Sequence, residues 1–386
     1  MSGNYSDRSD RDTPLLRALS ALMTGRAATA PACHQRRVLL HLARVHRVER
    51  LVARSIRLRG GDLAAWFGDC DEDQEIERAE RKFAVVDAIR TQELRRVIDG
   101  LVRVDGTLPI VFKGAALAHS HYPAPWLRPR LDSDILIPSS HVTSALATLQ
   151  DIGYEHAVNI SGSLVSSQTS LSRVDEFGID HSLDVHWKIA NRHVVASVLS
   201  HHDIAGRAVP LPALGSAARA PADVDALLIA CVHRAVHHRD SDELLWLFDI
   251  HLIAKRLSPA DWRVFVANAR GGRVTAICAR GLGLAVDWFG TPVPDDVLHA
   301  LDIRHMVPEP SAVFLSKDSR LVDNLKSDLG SLSLRGKVRL LFEHLFPPVA
   351  YISERYQVTG PTSIAFAYLR RIVLGIPQWL ADRRQL

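Results

Sequence analysis

Asp132 and Asp134 stand two residues apart at the head of the apolar run Ile135, Leu136 and Ile137. Side chains of a β-strand alternate faces, so a strand over 133–137, led by Asp132, aims both carboxylates the same way. Two like charges at the end of a buried strand are costly unless a cation compensates them, and a divalent metal does so most simply. A third carboxylate is offered by the segment 182–189, where Leu183, Val185 and Trp187 share one face and Ser182, Asp184 and His186 the other. If the two strands are neighbours, Asp184 joins Asp132 and Asp134 around a metal pair. Hard oxygen donors suit Mg2+, with Mn2+ as its substitute, bridging the phosphates of a nucleoside triphosphate. Two ions would stabilise the attacking and leaving oxygens of an in-line displacement. The expected chemistry is transfer of a nucleoside monophosphate with release of pyrophosphate.

Lys113, Gly114 and Ala115 follow the β-rich run Leu108 to Phe112 and open a helical stretch reaching about His121. A strand that ends in glycine and starts a helix presents free backbone N–H groups at a positive helix end, a natural seat for phosphate. Lys113 adds a point charge there, and Arg128 pairs with a phosphate or braces the carboxylates. His186 shares the carboxylate face and either braces Asp184 or touches substrate. His233 and His237, four apart on one helix face, have a spacing that can bind zinc. They lack the intervening Glu of a metalloprotease motif, so packing or substrate-facing polar contacts are the expected role.

The elements that must position these residues change texture twice. Apolar residues recur at helical spacing from Pro14 to about Val104, through Val38, Leu42, Val45, Val52 and Ile56. From Gly106 the order reads strand, helix, strand, helix, strand, with a helix over 140–151 stopped at Gly153 and a third strand over 179–189. Beyond Pro221 the helical period returns, with helices expected over 242–257, 259–270, 272–290 and 334–346. The expected fold class is α+β: a small mixed sheet between two helical lobes. The domain reading is a disordered arm over 1–13, a helical lobe over 14–105, the catalytic core over 106–215 and a helical region over 216–386. Linkers are expected at 213–221 and 303–333.

Length and composition fit an enzyme-sized globular protein, since 47% of the 386 residues are hydrophobic and 23% charged. The net charge of +4 is too small for an extended nucleic-acid footprint, although a tRNA end stays open. Four scattered cysteines without a CxxC pair predict reduced thiols and a cytoplasmic location. No apolar run has the roughly 20 residues a membrane span requires.

The order of glycine turn, short helix, Asp-x-Asp strand and later single Asp resembles DNA polymerase beta-like nucleotidyltransferases. More narrowly, Lys113 to Leu117, Tyr122-Pro123, Arg128, Asp132 to Leu136 and Asp184 to Trp187 resemble the bacterial uncharacterised nucleotidyltransferase family. The helical stretch 231–253 is also similar to that family's segment after the core. The resemblance implies catalytic, metal-binding Asp132, Asp134 and Asp184, and a nucleotide seat at Lys113, Gly114, Ala115 and Arg128. It leaves the acceptor open among a small metabolite, a peptide or protein side chain, and an RNA 3′ end. Two positions depart from the wider pattern: Ala115 supplies no hydroxyl at the turn, and Arg130 stands where toxin-like relatives carry a small hydroxyl residue. The alternatives are a catalytically inactive nucleotide-binding regulator and a metal-dependent hydrolase built on His233 and His237.

Overall fold

Gly106 takes a positive φ of 68°, a conformation that favours glycine, where the long helix Cys70–Asp105 gives way to the sheet. The computed structural model describes residues 12–68, 70–106, 108–156, 166–302, 309–316, 321–330 and 332–381. The arm expected over 1–13 lies almost wholly outside the described residues, and the first helix is Thr13–Met23.

The sheet has seven strands: β1 (Ile110–Phe112), β2 (Asp132–Leu136), β3 (Glu155–His156), β4 (Gln168–Val174), β5 (Asp180–His186), β6 (Val209–Pro210) and β7 (Arg219–Ala220). Their order is β3-β4-β5-β2-β1-β7-β6. β2 lies antiparallel to β1 and parallel to β5, so the sheet is mixed. The sequence reading finds β1, β2 and β5 but not the other four. β4 has few apolar residues to announce it, being Gln-Thr-Ser-Leu-Ser-Arg-Val. It is held by its antiparallel pairing along the whole of β5. β6 and β7 are two residues each, and β7 falls inside the stretch 213–221 expected as a linker. The stretch 303–333, also expected to be irregular, contains a 3-10 turn at Pro310–Leu315 and the helix Leu321–Gly330.

Alternation along the strands assigns the two faces of the sheet. Val111, Ile135, Ile137 and Val185 pack with Leu94, Val97, Ile98 and Leu101 of the long helix and Leu149 of the helix Val142–Asp151. Ile110, Phe112 and Leu136 point the other way, into a core shared by N-terminal helices and the C-terminal helices Asp223–Val236, Leu244–Ala254 and Thr275–Phe289. Asp132 and Asp134 alternate in phase with Leu136, so the carboxylates project on the side of the C-terminal lobe. The fold is α+β, with helical regions flanking the sheet.

Candidate active site

Parallel pairing of β2 with β5 sets Asp132 opposite Ser182, Asp134 opposite Asp184 and Leu136 opposite His186. Both strands therefore aim polar groups from their shared face into one cleft. Oxygens of Asp134 and Asp184 and a ring nitrogen of His186 lie within 4.8 Å of one another, the one such grouping of possible ligands among the described residues. Asp132 is outside that grouping and exposed at the strand end.

Asp134 is held from two sides. The Lys113 ammonium donates to its Oδ1 at 2.7 Å, and His186 Nε2 lies 2.8 Å from the same oxygen. Burial alone would raise the Asp134 carboxyl, but Lys113 and the His186 hydrogen bond outweigh it and hold it well below the usual carboxylate range. Burial and the adjacent ammonium in turn lower His186 to about 4, so the ring is neutral at physiological pH. A neutral ring donating Nε2–H to Asp134 leaves Nδ1 as acceptor, and that atom is buried without a protein partner. His186 thus braces Asp134 rather than Asp184.

Asp184 has a different environment. Gln168 Nε2 donates to its Oδ2 at 3.0 Å, a contact supplied by β4. Burial pushes its carboxyl up to about 6, and repulsion from Asp134 and Asp132 adds to this against a hydrogen bond from Ser170. The Asp132 carboxyl is raised too, first by desolvation at the cleft wall and then by Asp134. Three carboxylates under one ammonium form a site short of positive charge. That donor set fits a divalent cation: two carboxylates in register, both near a third.

The glycine turn is built differently from its sequence-based reading. Lys113 itself adopts the left-handed backbone, with φ of 52°, between extended Phe112 and the helix Lys113–Ser120. Such a conformation is uncommon for a residue with a side chain and marks a position that its surroundings dictate. It turns the ammonium back onto Asp134. Gly114 is not open: a Cβ there would lie 2.9 Å from Cζ of Arg128. Arg128 is buried over the turn, and its Nη2 donates to Asp249 Oδ2 at 2.7 Å. The Tyr122 hydroxyl donates to Asp249 Oδ1 at 2.7 Å, and the Trp246 ring lies 5.0 Å from the guanidinium. Arg128 therefore pairs with Asp249 and caps the turn. Arg130 is also buried, paired with Asp87 at 2.6 Å. We expect Gly114→Ala to lower unfolding free energy by about 1–3 kcal/mol, because the methyl group must displace a paired guanidinium. An unchanged urea midpoint would show that Arg128 yields freely.

The sequence reading groups Asp249 with His233, His237 and His238 as a weak metal candidate and names Tyr122 only within the family resemblance, so neither is expected as a partner of Arg128. Asp249 lies 121 positions from Arg128 in an almost wholly apolar helix, and that isolation was the available signal. His233 lines a pocket with Lys113, Gly114 and Arg128, and His237 and His238 lie close enough to feel the charges of Lys113 and Asp134. The His233 and His238 Nε2 atoms are 3.0 Å apart, and His238 stacks on Trp246 at 4.1 Å. Desolvation and then Lys113 lower His237 to about 3, although the residue as a whole is exposed. No carboxylate joins His233 and His237 in a three-ligand grouping among the described residues.

A sequence model of the uncharacterised nucleotidyltransferase family matches residues 34–290. No curated protein matches the chain.

Proposed function

The chain belongs to the uncharacterised nucleotidyltransferase family, and from that premise we propose that it is a DNA polymerase beta-like enzyme transferring a nucleoside monophosphate from its triphosphate to an acceptor. That it is a transferase follows from the family; the reaction details are our reading of the cleft. The observation that carries the reading is Asp134 opposite Asp184 on neighbouring parallel strands, with Asp132 at the head of the same face.

In this reading residues 106–215 are the catalytic core between the lobes 14–105 and 216–386, and β7 just beyond joins β1 to the edge strand β6. Asp132, Asp134 and Asp184 would hold divalent cations, Mg2+ or Mn2+, which would supply charge neutralisation for phosphoryl transfer. His186 orients Asp134. Asp184, the carboxylate most easily protonated, is placed to accept the acceptor's proton. Lys113, Gly114 and Ala115 bind the triphosphate, with Arg128 fixing the turn through Asp249. Lys113 is the counter-ion of Asp134, and a metal held by the carboxylates would leave its ammonium available to phosphate. His233 and His237 face the acceptor across the cleft as neutral hydrogen-bonding groups. The modest charge favours a compact acceptor or the tip of an RNA over a long nucleic-acid track. We place the protein in the cytoplasm.

The test is incubation with each α-labelled nucleoside triphosphate, with and without Mg2+, beside metabolite, protein and RNA fractions of a cell extract. Label should move to one fraction only with metal, with pyrophosphate released. Metal-independent label transfer, or none with any nucleotide and fraction, would reject the reading.

A further inference from the structure

Residues 334–381 lie beyond the family match, which stops at 290, and their charge balance is unlike the rest of the chain. They hold six Lys and Arg against two Asp and Glu, an excess equal to the +4 of the whole chain. The helices Leu334–Leu345, Val349–Tyr356 and Pro361–Ala381 pack together through few buried positions, among them Leu340, Ile352 and Ala367. Aromatic contacts join them at Phe346, whose ring lies 4.9 Å from Phe342 and 6.1 Å from Tyr368.

On the outer faces the usual pattern inverts. Leu334, Val338, Leu341 and Phe342 recur at helical spacing, all exposed, Leu334 to 79%. Phe366, Leu369, Val373 and Leu374 do the same on the last helix, Phe366 to 67%. Arg335, Arg370 and Arg339, the last paired with Glu343 at 2.9 Å, are exposed on these same two helices. Apolar surface of this extent is not left in water without a partner.

Charge decides between partners. A second copy of this surface would bring a net positive region against its equal. An RNA would meet the cations but leave the leucines and phenylalanines in water. An anionic bilayer meets both needs, taking apolar side chains at the acyl boundary and holding Arg and Lys among its headgroups. No helix of the described residues is long and apolar enough to cross a membrane, so the contact is with a surface. We infer that the helices Leu334–Leu345 and Pro361–Ala381 dock this protein on an anionic lipid surface.

The full chain is sedimented with vesicles of phosphatidylcholine alone and with vesicles also containing phosphatidylserine. Partitioning onto the anionic vesicles should be at least about tenfold greater, and should weaken as salt screens the headgroups. Phe366→Ser with Leu369→Ser removes apolar insertion, and Arg335→Gln with Arg370→Gln removes charge. Each pair should reduce partitioning at least about fivefold with an unchanged circular dichroism spectrum. No sedimentation, equal partitioning onto both vesicles, or undiminished binding by both variants overturns the inference. So does binding to duplex RNA in place of vesicles, or a dimer by light scattering that the Phe366→Ser, Leu369→Ser pair dissociates.

Discussion

Asp134→Asn should lower nucleotidyl transfer by roughly a hundredfold or more, the scale of lost transition-state charge stabilisation. It should also destabilise the metal-free protein. Asp134 is ionised by its partners, so its amide would cost the buried Lys113 ammonium its hydrogen-bonded counter-charge and leave only the more distant Asp132 and Asp184. Asp184→Asn should match the first effect and reverse the second. The Asp184 carboxyl titrates near 6 in the folded protein, above its unfolded value, so the native state holds the proton more tightly. Stability from that group is full at low pH and is lost as pH rises through about 6. The amide removes the loss, a gain on the order of 2 kcal/mol at pH 8 in the metal-free protein. For Asp134 the sign is opposite: its contribution is present above the unfolded carboxylate pKa and disappears as pH falls below it. Urea unfolding in chelator at pH 4, 6 and 8 separates the two. A stabilised Asp134→Asn protein, or near-normal transfer by it, would remove the central claim.

Asp249→Ala should be the most destabilising single change near the cleft, at about 3–5 kcal/mol, because it strands a buried guanidinium. Arg128 and Asp249 are each only 4% exposed at the side chain, so water cannot substitute for the lost carboxylate. Replacing both by a Met–Leu pair should recover much of the stability, since similar apolar volume avoids the unpaired charge. Nucleotide binding should stay weak in that double variant, because nothing then fixes the turn at Gly114. A double variant that binds nucleotide normally would show the pair to be a packing device only. Denaturation midpoints and isothermal titration report the two properties independently.

What was legible in the sequence followed from periodicity. Asp132, Asp134 and Asp184 were placed on one face because a strand's side chains repeat every second residue, and apolar neighbours marked both strands as buried. The helices after Pro221 were legible for a similar reason, and Ser258 with Asp261 forms a capping box where one was expected to begin. β4 was not, because its polar residues gain strand structure only from β5. The role of Arg128 was hidden because its partner is set by tertiary packing, not spacing. His186 was read as a neighbour of Asp184, yet the cross-strand geometry delivers its ring to Asp134. Lys113 was expected to face phosphate, and in the fold its left-handed backbone brings the ammonium onto Asp134, a partner that spacing alone does not predict.

The span between Arg128 and Asp249 also bears on when the protein can work during its own synthesis. The carboxylate face is complete once β5 has joined β2, but the cap on the glycine turn comes from a helix that emerges later. Nascent chains released before residue 249 would therefore own Asp132, Asp134 and Asp184 and still lack the cap on the turn proposed to seat phosphate. On the proposed function, competence for nucleotide would follow completion of the sheet and wait on the C-terminal lobe.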